Sequence, residues 1–68
     1  MITEKVGARI KEIRTCQGTS QEKLARRAQL DRTYLTGVEK GKRNPSIKSL
    51  EKILNALDVS FEDFFKGM

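Results

Sequence analysis

The residues of this 68-residue chain that could do chemistry are mostly cations. Fourteen Lys and Arg stand against nine Asp and Glu, for a formal net charge of +5, with one Cys and no His. Thirteen of the cations but only six of the acids lie in residues 1–52, so residues 53–68 are acidic and apolar by comparison. A basic body suits a polyanion, and a tail of different character suggests a second face for something else. Catalysis has little to build on. There is no His, no phosphate-cradling Gly-rich loop and no core large enough for a cavity, and Glu62 and Asp63 read as partners of a helix N-terminus, not as an acid–base pair. Cys16 has only Arg14 nearby to activate it and reads as a residue packing at a helix end. One thiol can complete neither a disulfide nor a structural zinc site, so no metal or cofactor is expected.

These groups must be positioned by helices. Apolar residues recur at helical spacing in short runs, and no stretch alternates as a strand does. Val6, Ile10 and Ile13 predict a helix over residues 3 to about 16, stopped at Gly18 in a left-handed conformation. Ser20 predicts an N-cap for a helix over residues 21–28, with Leu24, Ala25 and Ala28 inward. Asp31 is the expected cap of a third helix that buries Leu35 and Val38 and runs out at Gly41. Pro45 and Ser46 open a fourth, with Ile47, Leu50, Ile53, Leu54 and Leu57 facing in. Ser60 with Asp63 three residues on resembles a capping box for a fifth, which holds Phe61, Phe64 and Phe65. The expectation is an all-α bundle of five short helices in one domain.

Residues 20–45 read SQEKLARRAQLDRTYLTGVEKGKRNP. Two helices of about eight residues are joined by Ala28-Gln29-Leu30-Asp31, a turn short enough to force a steep crossing pinned by Leu24, Ala25, Leu30, Leu35 and Val38. The second helix of such a pair stands proud of the surface. A DNA major groove about 12 Å wide accepts a helix about 10–12 Å across. The segment resembles the Cro/repressor (XRE-type) helix-turn-helix regulators at Gln21, Leu24, Ala25, Leu30, Leu35, Val38, Glu39, Gly41 and Pro45-Ser46, followed by the helix around residues 50–57. Residues 30–51, LDRTYLTGVEKGKRNPSIKSLE, look like the controller proteins of restriction–modification systems, small dimeric regulators that time expression of the restriction enzyme. The family usually has Gly where this chain has Gln29. A left-handed Gln29 would cost on the order of 1 kcal/mol.

The resemblance implies a lambda-repressor-like fold. The helix-turn-helix would occupy about residues 20–41 and a dimerisation region about residues 50–68. Arg32 and Thr33 in the first turn of the third helix, with Thr36 one turn on, are the candidate base readers. Arg32 can hold guanine O6 and N7 with two hydrogen bonds, and Thr33 can place its methyl on that of thymine. Tyr34 is assigned to phosphate or a base edge. Gln21, Ser46, Lys48 and Ser49 lie at helix N-termini, where free N–H groups and the dipole favour phosphate. Lys40, Lys42, Arg43 and Asn44 form a basic loop suited to the DNA backbone. The resemblance singles out Arg43 and Asn44, while Lys40 and Lys42 equally fit a solvated loop.

One recognition helix reads too few base pairs to be selective in a genome. A symmetric homodimer on a roughly palindromic operator, with its recognition helices about 34 Å apart, meets that need. Three phenylalanines within five positions exceed what one small core absorbs, which leaves one or two for a partner. The resemblance puts the seam on the last two helices, so Leu57, Val59, Phe61, Phe64 and Phe65 are the expected interface. Double-stranded operator DNA is the expected partner, with pairs of dimers and RNA polymerase left open. The charged start of the chain and the absence of long apolar runs point away from membranes and towards a bacterial cytoplasmic, nucleoid-associated protein. A phage-type or antitoxin-type repressor, and an interaction module that does not bind DNA, remain alternatives on the same scaffold.

Overall fold

The computed structural model describes all 68 residues and contains five helices and no strand: α1 (Ile2–Cys16), α2 (Gln21–Ala28), α3 (Arg32–Glu39), α4 (Ile47–Leu57) and α5 (Phe61–Phe65). The serine caps form as their positions imply. Ser20 Oγ accepts from the Lys23 N–H, Ser46 Oγ from the Ser49 N–H and Ser60 Oγ from the Asp63 N–H. Each satisfies one of the backbone donors that a helix start leaves without a partner. Asp31 occupies the cap position of α3, but its side chain makes no cap hydrogen bond.

Four helices end in the same way, with a left-handed residue that lets the next N–H turn back onto the last helical turn. Thr19 N–H reaches Arg14 O, Leu30 reaches Ala25, Lys42 reaches Gly37 and Val59 reaches Leu54, all at 2.8–3.0 Å. Each is the long bond of a Schellman motif. Two of the left-handed residues are glycine (Gly18, Gly41) and two are not: Gln29 with φ 57° and Asp58 with φ 59°. The turn at Gln29 is therefore left-handed, as the sequence allowed.

The core is apolar and continuous. Val6 and Ile10 of α1, Leu24, Ala25 and Ala28 of α2, Leu35 and Val38 of α3, Leu50, Ile53, Leu54 and Leu57 of α4, and Phe64 of α5 are all buried. Helix α1 packs on α3, α2 on both α3 and α4, and α5 on α4. At Gly7, α1 lies directly on the end of α3, and a β-carbon there would clash with the backbone carbonyl oxygens of Val38 and Glu39.

Several expectations need correction. Ile47 is not in the core but 76% exposed, on the rim of a groove that it lines with Ile2, Val6, Leu50 and Phe65. Leu57 and Phe64 are at most 1% exposed and fill the chain's own core, so neither is available to a partner. Cys16 is exposed and does not pack. No helix is long and apolar enough to cross a membrane.

Candidate nucleic-acid interface

Helix α3 buries Leu35, Val38 and Glu39 and leaves its amino end in solvent. Arg32 and Thr33 are exposed there, while Tyr34 and Thr36 are half-buried. Leu35 and Val38 anchor the helix from below, so its first turn is held rigidly without being covered. Tyr34 packs part of its ring on the core, which suits a side chain with an apolar body and a polar tip. Arg43, expected to act from its loop, instead lies along α3. Its guanidinium carbon stands 5.9 Å from the Tyr34 ring centroid, within cation–π range. Its aliphatic stem occupies the space over Gly37, where a β-carbon would come within 2.7 Å of Arg43 Cγ. Gly37 therefore keeps open the channel through which Arg43 crosses the helix.

The other candidates lie on the loop after α3 and at the start of α4. Asn44, Ser46 and Lys48 are exposed and Ser49 is half-buried. The hydroxyls of Ser46 and Ser49 bond each other at 3.1 Å, so their side chains are engaged in the cap. The N–H groups of Ile47 and Lys48, in the first turn of α4, are the donors left for an anion. Lys23, Arg26, Arg27, Lys40 and Lys42 are exposed as well.

Beneath the surface lies a polar network that the sequence reading missed. Arg14 of α1 and Glu39 of α3 form an ion pair with side chains 9% and 2% exposed. The pair is bidentate, with Arg14 Nε donating to Glu39 Oε2 at 2.7 Å and Nη2 to Oε1 at 3.0 Å. Arg14 Nη1 also donates to the Thr19 carbonyl at 2.9 Å. Gln21 Nε2 donates to Glu39 Oε1 at 2.9 Å, and Thr36 Oγ1 donates to Gln21 Oε1 at 2.9 Å. Every buried side-chain nitrogen and oxygen finds a partner. That is the condition under which a buried ion pair is tolerable. The signal was present in the sequence: Arg14 continues the Val6–Ile10 stripe four residues on, where solvent is not available. Gln21, assigned to phosphate, thus spends its carbonyl oxygen and one amide hydrogen inside the protein. Its second amide hydrogen remains for a ligand.

At the end of the chain, Val59 and Phe65 are half-buried and Phe61 is 38% exposed. The rings of Phe61 and Phe65 stack with centroids 6.5 Å apart, and Phe64 meets Phe65 edge-on at 5.0 Å. Phe65 also lines an open apolar groove with Ile2, Val6, Pro45, Ile47 and Leu50. The exposed apolar surface therefore runs beyond the tail to the start of α4.

Comparison with known proteins agrees with this geometry. Residues 10–64 match the helix-turn-helix family. The control protein C.BamHI of Bacillus amyloliquefaciens is 43% identical over 58 residues, which are 84% of this chain and 72% of that protein. Among solved structures, the restriction–modification controller C.Esp1396I, as a tetramer on its natural 35 base-pair operator, superposes with a TM-score of 0.92. It is 47% identical and is matched over 97% of this chain and 87% of its own. The controller C.AhdI from Aeromonas hydrophila gives 0.89 at 44% identity, covering 93% of this chain and 96% of that one. With five helices in the same arrangement and a matching sequence across nearly its whole length, this chain belongs to the Cro/repressor-type helix-turn-helix regulators, in the group that contains the restriction–modification controller proteins.

Proposed function

We propose that the protein is a sequence-specific transcriptional regulator that binds double-stranded operator DNA as a homodimer, acting as the controller of a restriction–modification system. The observation that carries this reading is the exposed first turn of α3, with Arg32 and Thr33 in solvent above a fully buried Leu35. A buried Arg32 would have removed it. Arg32 and Thr33 read bases, joined by Thr36. Tyr34, Arg43 and Asn44, with the starts of α2 (Gln21) and α4 (Ser46, Lys48, Ser49), hold the sugar-phosphate backbone. The homodimer forms through Val59, Phe61 and Phe65, extended by Ile47, whose exposure joins it to the same apolar surface. Relatives bound to operator DNA support the reading.

Binding to duplexes taken from upstream of the protein's own gene tests it. Affinity should fall steeply and log-linearly with salt as counterions are released; binding indifferent to salt would count against a DNA role. Arg32→Ala is expected to relax preference at one base pair by about 1–3 kcal/mol. Arg43→Ala should weaken binding to all sequences alike. The reverse pattern would overturn the assignment of the two roles.

A further inference from the structure

The side-chain amide of Gln21 sits between a carboxylate and a hydroxyl, and that placement decides where the hydrogens go. The Glu39 carboxylate, paired with Arg14, can only accept. Gln21 must therefore turn Nε2 towards it, 2.9 Å away, which leaves Oε1 facing Thr36. Thr36 Oγ1 has two neighbours within bonding distance, Gln21 Oε1 at 2.9 Å and the Arg32 carbonyl oxygen at 3.0 Å. Both are acceptors. A hydroxyl has one hydrogen to give, so that of Thr36 is held inside the protein whichever partner it takes. What remains for a ligand is a lone pair.

We propose that Glu39, acting through Gln21, makes Thr36 an acceptor-only reader of the major groove. The base it faces must then offer an amino group, N6 of adenine or N4 of cytosine. Guanine and thymine present only acceptors on that edge and would leave two lone pairs opposed. Thr36 is the residue in contact; Gln21 and Glu39 position its hydroxyl and so set the choice of base, while the phosphate contact of Gln21 bears on affinity for all sequences alike. The proposal rests on the reading of Thr36 as a residue that faces DNA.

The test begins with a duplex selected by the intact protein from a library of about twenty randomised base pairs, enough for two half-sites one helical turn apart. Thr36→Val, which keeps the shape and removes the hydroxyl, identifies the base pair that Thr36 reads. There, replacing the adenine by purine, or the cytosine by 2-pyrimidinone, removes only the amino group. Wild-type binding should weaken about tenfold and Thr36→Val should be indifferent. Gln21→Met leaves the Arg14–Glu39 pair in place and leaves the Thr36 hydroxyl only the Arg32 carbonyl, which the helix already engages as an acceptor, so the hydroxyl is held less firmly. This change should bring amino-bearing and carbonyl-bearing bases to within about twofold of each other at that pair alone. A Gln21→Met protein with undiminished preference would overturn the role of Gln21 and Glu39. If the pair read by Thr36 is contacted through a guanine or thymine carbonyl, Thr36 reads bases but not as an acceptor. If Thr36→Val alters no position, the base-reading assignment itself fails and the proposal with it.

Discussion

Around the amino end of α2, helices α1 and α3 are joined by a chain of charged and polar groups, Arg14, Glu39, Gln21 and Thr36. On the other side, α4 and α5 are held by apolar side chains, Leu50, Ile53, Leu54, Leu57 and Phe64. One polar bond supplements them, from Gln17 Nε2 to the Leu57 carbonyl at 2.8 Å. The two sides solve different problems. A surface that reads hydrogen-bond patterns must hold its own donors and acceptors in known directions, which only directional bonds can do. On the proposed function the second surface meets another copy, which needs area and shape that the surplus aromatic rings would supply. The two sides fail in different ways: a buried charge tolerates no missing partner, whereas an apolar contact loses only what its cavity costs.

The largest expected effects probe that difference. Glu39→Ala strands the Arg14 guanidinium and should cost about 3–5 kcal/mol in urea unfolding, enough to unfold a domain of this size. Phe64→Ala should cost a similar amount, about 3–5 kcal/mol, by opening a cavity. Rescue separates them. Replacing the pair together, with Arg14→Met and Glu39→Leu, should restore most of the loss, because apolar packing can stand in for a buried ion pair. A Glu39→Ala protein that unfolds at nearly the wild-type urea midpoint would dissolve the contrast between the two sides.

Next in size is the apolar face. Ile47→Lys or Phe61→Lys should leave the monomer folded, since both residues are exposed. A two-fold interface contains each change twice, so dimerisation should weaken about a hundredfold in sedimentation. Dimers that survive both changes would move the seam elsewhere. Truncation after Val59 would be a poor substitute, because it also removes Phe64 from the core. The smallest expected effect concerns the turn that joins α2 to α3. Gln29→Gly should raise stability by up to about 1 kcal/mol by relieving the left-handed backbone, with no change in operator choice. A loss of stability on thermal unfolding would mean that the Gln29 side chain contributes something its exposure hides.

Much of the fold was legible because local rules govern it. The serine caps, the stop at Gly18 and the short turn through Gln29 are written in neighbouring residues, and the structure follows them closely. What escaped was long-range or two-valued. Arg14 and Glu39 lie 25 positions apart, and although Arg14 falls on the buried stripe of α1, nothing local names its partner. Ile47 fits the inward stripe of α4 by spacing, but spacing does not say whether that end of the stripe meets the core or the rim of a groove. The three phenylalanines announced a surplus without saying which ring would be used internally; only packing chose Phe64. Asp58 in a left-handed turn was also missed, although a short polar side chain is one of the few that tolerate it. Among the site residues, the exposed amino end of α3 followed from the sequence. The path of Arg43 over Gly37 did not, since it depends on how the loop folds back.

Gly7 carries a consequence for motion. With no side chain between them, the backbone of α1 rests on the carbonyl oxygens at the end of α3, and neither helix can be displaced without the other. The pair should therefore open as one cooperative unit. In hydrogen exchange, the amides of Ile10 and Val38 would share a single opening free energy equal to that of global unfolding, while the five-residue α5 frays on its own at lower cost. Arg32 and Thr33 would then be carried on the slowest-exchanging part of the molecule, and their aim would persist for as long as the domain stays folded.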